Sequence, residues 1–291
     1  MKLKGDHKIT KGMIFAGCSF TWGQGLYFYS NLETLENPDN KWGYSPGLVS
    51  LAHNKFKESN RFSRIVSNFF QKYDLVHYKN GGANDQIINF WKTCFESKTP
   101  QYLESFHPGE TDLTFPIDYD EISHVIFQLT QPNRDKFSYT VGEEFVNVPM
   151  QWNLVVEHKK YQDLFQRYLL ENSIDISEFN EEFARKSLNN CLNFLRDCEE
   201  RGIKTYIITW PENFSKHIDN DQWARERWIK IQHSGFTYGS IEELMKMDGL
   251  SICEDYSEFE IPPNDCHPSL SVHRSIAISI INFIINKEGN G

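Results

Sequence analysis

Apolar and polar positions along the chain fall into two rhythms that take turns. Short runs of consecutive apolar residues are each followed by a stretch with apolar residues three and four apart, which predicts strands and helices in alternation. Gly12 to Gly17 (GMIFAG) is the first apolar run and suits a buried parallel strand. Arg61 to Lys72 carries Phe62, Ile65, Val66, Phe69 and Phe70 at helical spacing. Leu75 to Tyr78 reads as a second strand, followed by Asn80-Gly81-Gly82 and a helix through Ile87, Ile88 and Trp91. His124 to Leu129 is a third strand. Glu181 to Glu200 is a long amphipathic helix with Phe183, Leu188, Cys191, Leu192, Leu195 and Cys198 inward, and Gly202 stands where a C-terminal cap prefers glycine. Ile203 to Thr209 is a fourth strand, Leu250 to Cys253 a short fifth, and Ser271 to Asn286 a closing helix.

This order predicts an α/β fold with a five-stranded, mostly parallel sheet covered by helices on both faces, a three-layer α/β/α sandwich. Ligands of such sheets lie beyond the carboxyl ends of the strands, near the topological switch point. Leu26 to Asn60 and about Pro100 to Asp120 break the rhythm, and Lys136 to Gln162 is aromatic and irregular. Connections this long are usually lids or binding loops. The expected organisation is one domain over residues 1–291 with insertions near 26–60, 100–120 and 136–162. The aromatic residues Trp42, Tyr44, Phe137, Tyr139 and Trp152 are read as packing the insertions onto the body, with stacking against sugar rings as the alternative. Trp223 and Trp228 are five apart in DQWARERWIK and share no helical face, so at least one is expected to be exposed or at an interface.

Composition narrows the function classes. The 291 residues are 39% hydrophobic and 14% aromatic, enough for a substantial core. A net charge of −10 lacks the basic footprint that phosphate backbones require, so no nucleic-acid partner is expected. Met1 to Lys11 is basic but has no apolar run of the kind a secretory signal needs, and Ile276 to Ile285 is too short and too interrupted to span a bilayer. The expectation is a cytoplasmic protein with no membrane partner. The six cysteines show no zinc-ribbon or thioredoxin spacing and are read as reduced thiols.

Candidate chemistry gathers at the strand ends. Gly17-Cys18-Ser19-Phe20-Thr21 follows the first strand, where a serine can project its hydroxyl into the cleft while its own N–H faces an oxyanion. Ser19 as a plain helix N-cap is the competing reading. Cys18 is a rival nucleophile, but adjacent side chains at a strand end point in different directions, so only one should face the cleft. Asn264-Asp265-Cys266-His267-Pro268-Ser269 lies between the fifth strand and the last helix, at the same rim. His267 there is a candidate base with Asp265 as orienting carboxylate, against a loop histidine with a structural hydrogen bond. His273 reads as structural. Cys18, Cys266, His267 and Asp265 could also converge on a metal, although no fixed-spacing motif supports it. Asn80-Gly81-Gly82-Ala83-Asn84-Asp85 brings backbone N–H groups close to a ligand and offers the Asn84 amide, or is an ordinary capped turn.

Together these residues resemble the SGNH, or GDSL-like, hydrolase superfamily. Gly17-Cys18-Ser19-Phe20-Thr21 is similar to its first block, with Cys18 where the family name has aspartate. Gly81-Gly82-Ala83-Asn84-Asp85 is similar to its second block, and Asp265-Cys266-His267-Pro268-Ser269 to its last. The first two blocks most resemble a branch common among bacteriophage and bacterial proteins, for which a host cytoplasm or a virion would be the location. The resemblance implies a flavodoxin-like sheet and a serine esterase or acyl hydrolase without a cofactor or metal. Its substrate would be an acylated small molecule or carbohydrate. Acyl transfer, or a binding or virion protein that keeps the fold without the activity, are the alternatives. It implies Ser19, His267 and Asp265 as the triad and Ser19, Gly82 and Asn84 as the oxyanion hole.

Two departures from the family pattern stand out. The usual acid position, three before the histidine, holds Asn264, and Asp265 is two before. The block after the third strand usually supplies an oxyanion-donating asparagine. Here Gln128-Leu129-Thr130-Gln131-Pro132-Asn133-Arg134 puts Pro132 in that place. Gln128, Thr130 and Asn84 are candidate replacements, and Arg134 is a candidate holder of an anionic substrate group.

Overall fold

Met13 and Phe15 turn to one side of the first strand, Ile14 and Ala16 to the other, and all four are fully buried. A strand covered on both faces is what a continuous apolar run requires. The computed structural model describes residues 11–18, 21, 26, 59–76, 82–96, 116–151, 158–248, 250–251 and 267–289. Its elements in chain order are β1 (Gly12–Ala16), α1 (Phe62–Phe69), β2 (Tyr73–Val76), α2 (Asn84–Glu96), β3 (Ile122–Leu129), β4 (Lys136–Val141), β5 (Glu144–Pro149), α3 (His158–Glu171) and α4 (Ile176–Glu200). There follow β6 (Lys204–Thr209), α5 (Ser215–Asp219), α6 (Gln222–Arg225), β7 (Ile231–His233), β8 (Phe236–Tyr238), α7 (Ile241–Asp248) and α8 (Leu270–Gly289).

Four strands form one parallel sheet in the order β2-β1-β3-β6. The chain leaves β1 to one side for β2 and returns to its other side for β3, so the switch point lies between β1 and β3. One face is covered by α2 and α4, whose Ile87, Trp91, Leu188, Cys191 and Leu195 meet Ile14, Val125, Phe127 and Ile207. The other is covered by α1, α7 and α8, whose Phe62, Val66, Leu244, Val272, Ile276 and Ile280 meet Met13, Phe15, Ile126 and Ile208. The result is the expected three layers.

The fifth parallel strand expected at Leu250 to Cys253 is absent from the described residues. Ser251 makes only an isolated antiparallel bridge, to Pro268, and the residues after it lie outside the described set. Beside β6 stands a single parallel bridge between Ile207 and Trp228, made by the N–H of Ile207 to Arg227 O and of Ile229 to Ile207 O. The stretch Lys136 to Gln162, expected to be irregular, is regular where it is described. β4 and β5 are an antiparallel hairpin closed by Gly142, at φ 59°, and Glu143, and α3 follows. A positive φ at the first central residue suits the strand twist and favours glycine. Phe137 and Tyr139 pack against Phe165, Tyr168, Phe179 and Phe183 in a core of their own, the packing use of aromatics. Residues 27–58 and 97–115, which hold most of the other two insertions and Trp42 and Tyr44, lie outside the described set, as does Trp152.

Neither tryptophan of the DQWARERWIK run is exposed. Trp228 is buried with its indole N–H on Gly239 O, and Trp223 is half-buried beneath Arg196 and Arg227. Gly202 sits past α4 at φ 83°, as a C-terminal cap requires. Cys18, Cys94, Cys191 and Cys198 are free thiols in the core. Among the described residues no helix is long and apolar enough to cross a membrane.

Candidate active site

The turn after β1 is built on a contact across the switch point. Thr21 N–H donates to Cys18 O at 3.0 Å, and Thr21 Oγ1 donates to Gln128 Oε1 at 2.6 Å. Gln128 Nε2 donates to Cys18 Sγ at 3.4 Å. Gln128 therefore stands under the turn as a post. It is 1% exposed and both ends of its amide are engaged there, so service as the replacement oxyanion donor would require it to release one of these bonds. Cys18 is fully buried against the α8 side of the sheet, so the rival nucleophile, which is also one of the two sulfurs of the alternative metal set, faces inward. Gly17 is required: a Cβ there would sit 2.1 Å from Thr21 Oγ1 and 2.9 Å from Gln128 Cβ.

The loop after β2 is fastened to the end of β3. Asn84 Oδ1 accepts Thr130 N–H at 2.8 Å, and Asn84 Nδ2 donates to Thr130 O at 3.0 Å and to Ser187 Oγ at 3.1 Å. Thr130 Oγ1 donates to Gly82 O at 3.1 Å. Ser187 Oγ donates in turn to Asp135 Oδ2, whose other oxygen accepts Asp85 N–H at 3.2 Å. The carboxylate of Asp135 thus sits at the N-terminus of α2, where unpaired N–H groups and the helix dipole favour a negative charge. Burial nevertheless pushes its pKa up to about 6, against the downward pull of the Ser187 hydroxyl, with Asp85 adding to the rise. Both amide hydrogens of Asn84 are engaged, and the side chain is fully buried. An oxyanion role would require it to release one of these bonds. Thr130 is likewise fully buried and serves as the clamp's other half.

His267 enters at the approach to α8. Pro268 bridges Ser251, Ser269 N–H donates to Leu250 O at 3.0 Å, and Ser269 Oγ accepts Val272 N–H at 3.4 Å, fixing the segment that carries the half-buried histidine. One turn inside α8, His273 is fully buried, stacked on Phe62 at 5.7 Å, and its Nδ1 accepts Phe62 N–H at 3.3 Å. It caps α1 in place of Arg61, which instead pairs with Asp74 at 2.7 Å. Burial, then the charges of His267 and Arg61, bring its pKa down to about 3. His273 is structural, as expected.

Arg134 ends the short 3-10 turn Pro132–Arg134 that follows β3. Its guanidinium carbon lies 4.5 Å from the Trp210 ring, and Trp210 is the first residue beyond β6. The arginine and its neighbour Asp135 part company here. Asp135 reaches the α2 and α4 side of the sheet, while Trp210 packs toward the α8 side.

Of the residues expected at the site, Gly82, Asn84 and Thr130 come together, Gln128 joins the turn after β1, and His267 arrives by the α8 approach. Ser19 and Asp265 lie outside the described residues, as do Asn264 and Cys266. Asp135 and Ser187 were missed. They lie in no block of the resemblance, and the one available signal was an acidic residue directly after the turn that ends β3.

No protein-family model and no curated protein matches the sequence. Among solved structures the chain is similar to a family two carbohydrate esterase from Clostridium thermocellum, solved with cellohexaose, at 14% identity and TM-score 0.36, over 99% of this chain and 67% of that one. It is also similar to a carbohydrate esterase family 2 enzyme with a carbohydrate-binding domain from Corynascus thermopiles (Myceliophthora fergusii), at 12% identity and TM-score 0.38, over 99% and 69%. Likenesses of this size are distant and fix neither the family nor the activity of the chain.

Proposed function

We propose that the chain is a serine esterase acting on an acylated small molecule or carbohydrate through an acyl-enzyme. In this reading Ser19 attacks the ester carbonyl, His267 takes its proton, and Asp265 orients the imidazole. The N–H groups of Ser19 and Gly82 stabilise the tetrahedral oxyanion. Asn84 is a positioning residue of that hole, holding the Gly82 loop against Thr130. Water resolves the acyl-enzyme; resolution by an acceptor alcohol would make the protein a transferase.

One observation carries the reading. The turn after β1 and the loop after β2 are each hydrogen-bonded to the end of β3, to Gln128 and Thr130, at the carboxyl rim of a parallel sheet and at its switch point. That is where sheets of this kind bind ligands. The test is a fluorophosphonate probe on the full chain, with the modified residue mapped and a short-chain chromogenic ester assayed alongside. Labelling at Ser19, lost with turnover in Ser19→Ala, is the expected result. Modification at Cys18 with a fully active Ser19→Ala variant would overturn it.

A protein of this fold without turnover is the second reading, and one observation favours it. Pro132 has no side-chain donor, and both amide hydrogens of Asn84 are engaged elsewhere. A folded wild type that neither labels nor turns over any ester is its signature.

A further inference from the structure

Trp223 and Trp210 carry the same arrangement in two states of completion. Arg227 and Arg196 stack on Trp223 at 4.1 and 4.7 Å, and each has a carboxylate: Glu199 accepts from Arg227 at 2.6 Å and Asp221 from Arg196 at 3.1 Å. Arg134 stacks on Trp210 at 4.5 Å, but its Nε and Nη1 are buried with no hydrogen-bond acceptor, and no carboxylate among the described residues pairs with it. Its platform is fixed, because Trp210 N–H donates to Leu129 O at 3.0 Å and Trp210 O accepts Glu242 N–H at 2.9 Å.

Guanidinium N–H groups stripped of water and left without acceptors, as at Nε and Nη1, are unfavourable, and a planar or tetrahedral oxyanion matches the fork of donors. The residue as a whole is half-buried, so it keeps an exposed part beside these two covered nitrogens, from which a ligand can approach. It also stands directly beyond β3, which borders the switch-point crevice.

We infer that Arg134 is an anion-binding residue of the cleft and that the substrate carries a carboxylate or phosphate group besides its acyl ester. The substrate part of this inference rests on the esterase reading above; the anion site does not. Trp210 orients the guanidinium plane, and the ligand supplies the acceptor that Glu199 and Asp221 supply at Trp223.

The test separates binding from chemistry. Thermal unfolding of the full chain is followed with benzoate, phenyl phosphate or neutral benzamide at matched ionic strength, in the Ser19→Ala background. The anions are expected to raise Tm and benzamide not, and the rise is expected to vanish in Arg134→Gln. The larger of the two rises tells carboxylate from phosphate. Arg134→Lys keeps the charge and drops the fork, and serves if the glutamine variant fails to fold; it should lose most of the response. With the Ser19 enzyme, the ratio of kcat/KM for matched anionic and neutral esters should fall about 10- to 100-fold in Arg134→Gln. An absent anion response in the Ser19→Ala protein with Arg134 intact, or an equal one in folded Arg134 variants, overturns the inference. Ser19 labelling without the anion response refutes the anion site and leaves the esterase. An Arg134-dependent response without labelling refutes the esterase and leaves the anion site.

Discussion

Asn84 holds Thr130 by both ends of its amide, accepting its N–H at 2.8 Å and donating to its carbonyl at 3.0 Å. The pair imitates a strand-to-strand ladder across the sheet's rim and joins residues 46 positions apart. It ties the loop after β2 to the end of β3, so the Gly82 carbonyl and the Thr130 hydroxyl are held in register as well.

Removing that amide should therefore cost stability first. Asn84→Ala leaves the Thr130 N–H and C=O buried without partners, and a loss of about 2–4 kcal/mol is expected in urea unfolding. Asn84→Asp, which keeps an acceptor for the N–H but sets a buried charge against the Thr130 carbonyl and near Asp135, should lose at least as much at neutral pH. A variant with unchanged stability and a kcat reduced a hundredfold would show that the amide serves the oxyanion instead.

Gly17→Ala should destabilise by about 2 kcal/mol or more, since its Cβ would overlap Thr21 Oγ1 and crowd Gln128. In a Thr21→Ala background the added cost should be smaller, because the closest atom is gone, and the two changes should not add. Gly12→Ala is the comparison. There the nearest atom is Leu75 Cδ1 at 3.0 Å, the end of a flexible side chain, and a smaller loss is expected. Equal losses at positions 12 and 17 would mean that the contact with Gln128 does not shape the turn.

Acid should act on this fold through two buried groups of opposite sign. His273 is held at about 3 when folded against an ordinary histidine value of 6.5. Its stabilising contribution is fully present above pH 6.5 and drains as pH falls toward 3, by up to ~1.4 kcal/mol per unit. Asp135, at about 6 against 3.8, keeps its proton longer in the folded chain, so it adds stability as pH falls through 6. His273→Asn, which retains an acceptor for Phe62 N–H, should flatten the acid loss, and Asp135→Asn should steepen it. Urea midpoints measured from about pH 7 down to about pH 4 check both, and parallel curves for wild type and His273→Asn would rule out the histidine.

Much of this fold was legible because its strands are buried on both faces and its helices on one. GMIFAG is apolar without a break, HVIFQL is apolar except for His124 and Gln128, and α4 shows its inward stripe. The hairpin was obscured because Phe137, Tyr139 and Phe145 put aromatics on both of its faces, Phe145 being exposed. α3 did carry the signal, with Tyr161, Leu164, Phe165, Tyr168 and Leu169 at helical spacing, but it only begins inside the segment Lys136 to Gln162 that reads as irregular and runs on beyond it. The strand expected over Leu250 to Cys253 lies partly outside the described residues; among those described, the edge beyond β6 is met by Trp228, which an apolar run cannot announce. At the site, motif spacing pointed to Gly82 and Asn84, but their partners Thr130, Asp135 and Ser187 are long-range contacts that no local pattern encodes.

α4 belongs to two cores at once. Its Phe179 and Phe183 pack with the hairpin and α3 beside a cleft of about 380 Å³, while Leu188, Cys191 and Leu195 pack on the sheet. Ser187 sits at the joint, bonded to Asn84 and Asp135. A helix is a stiff rod, and Phe179 lies only ~12 Å along it from Ser187. The hairpin module therefore acts on the rim as a lever: a load applied at the aromatic cleft either bends the helix or is delivered at Ser187, to the clamp that sets the Gly82 loop.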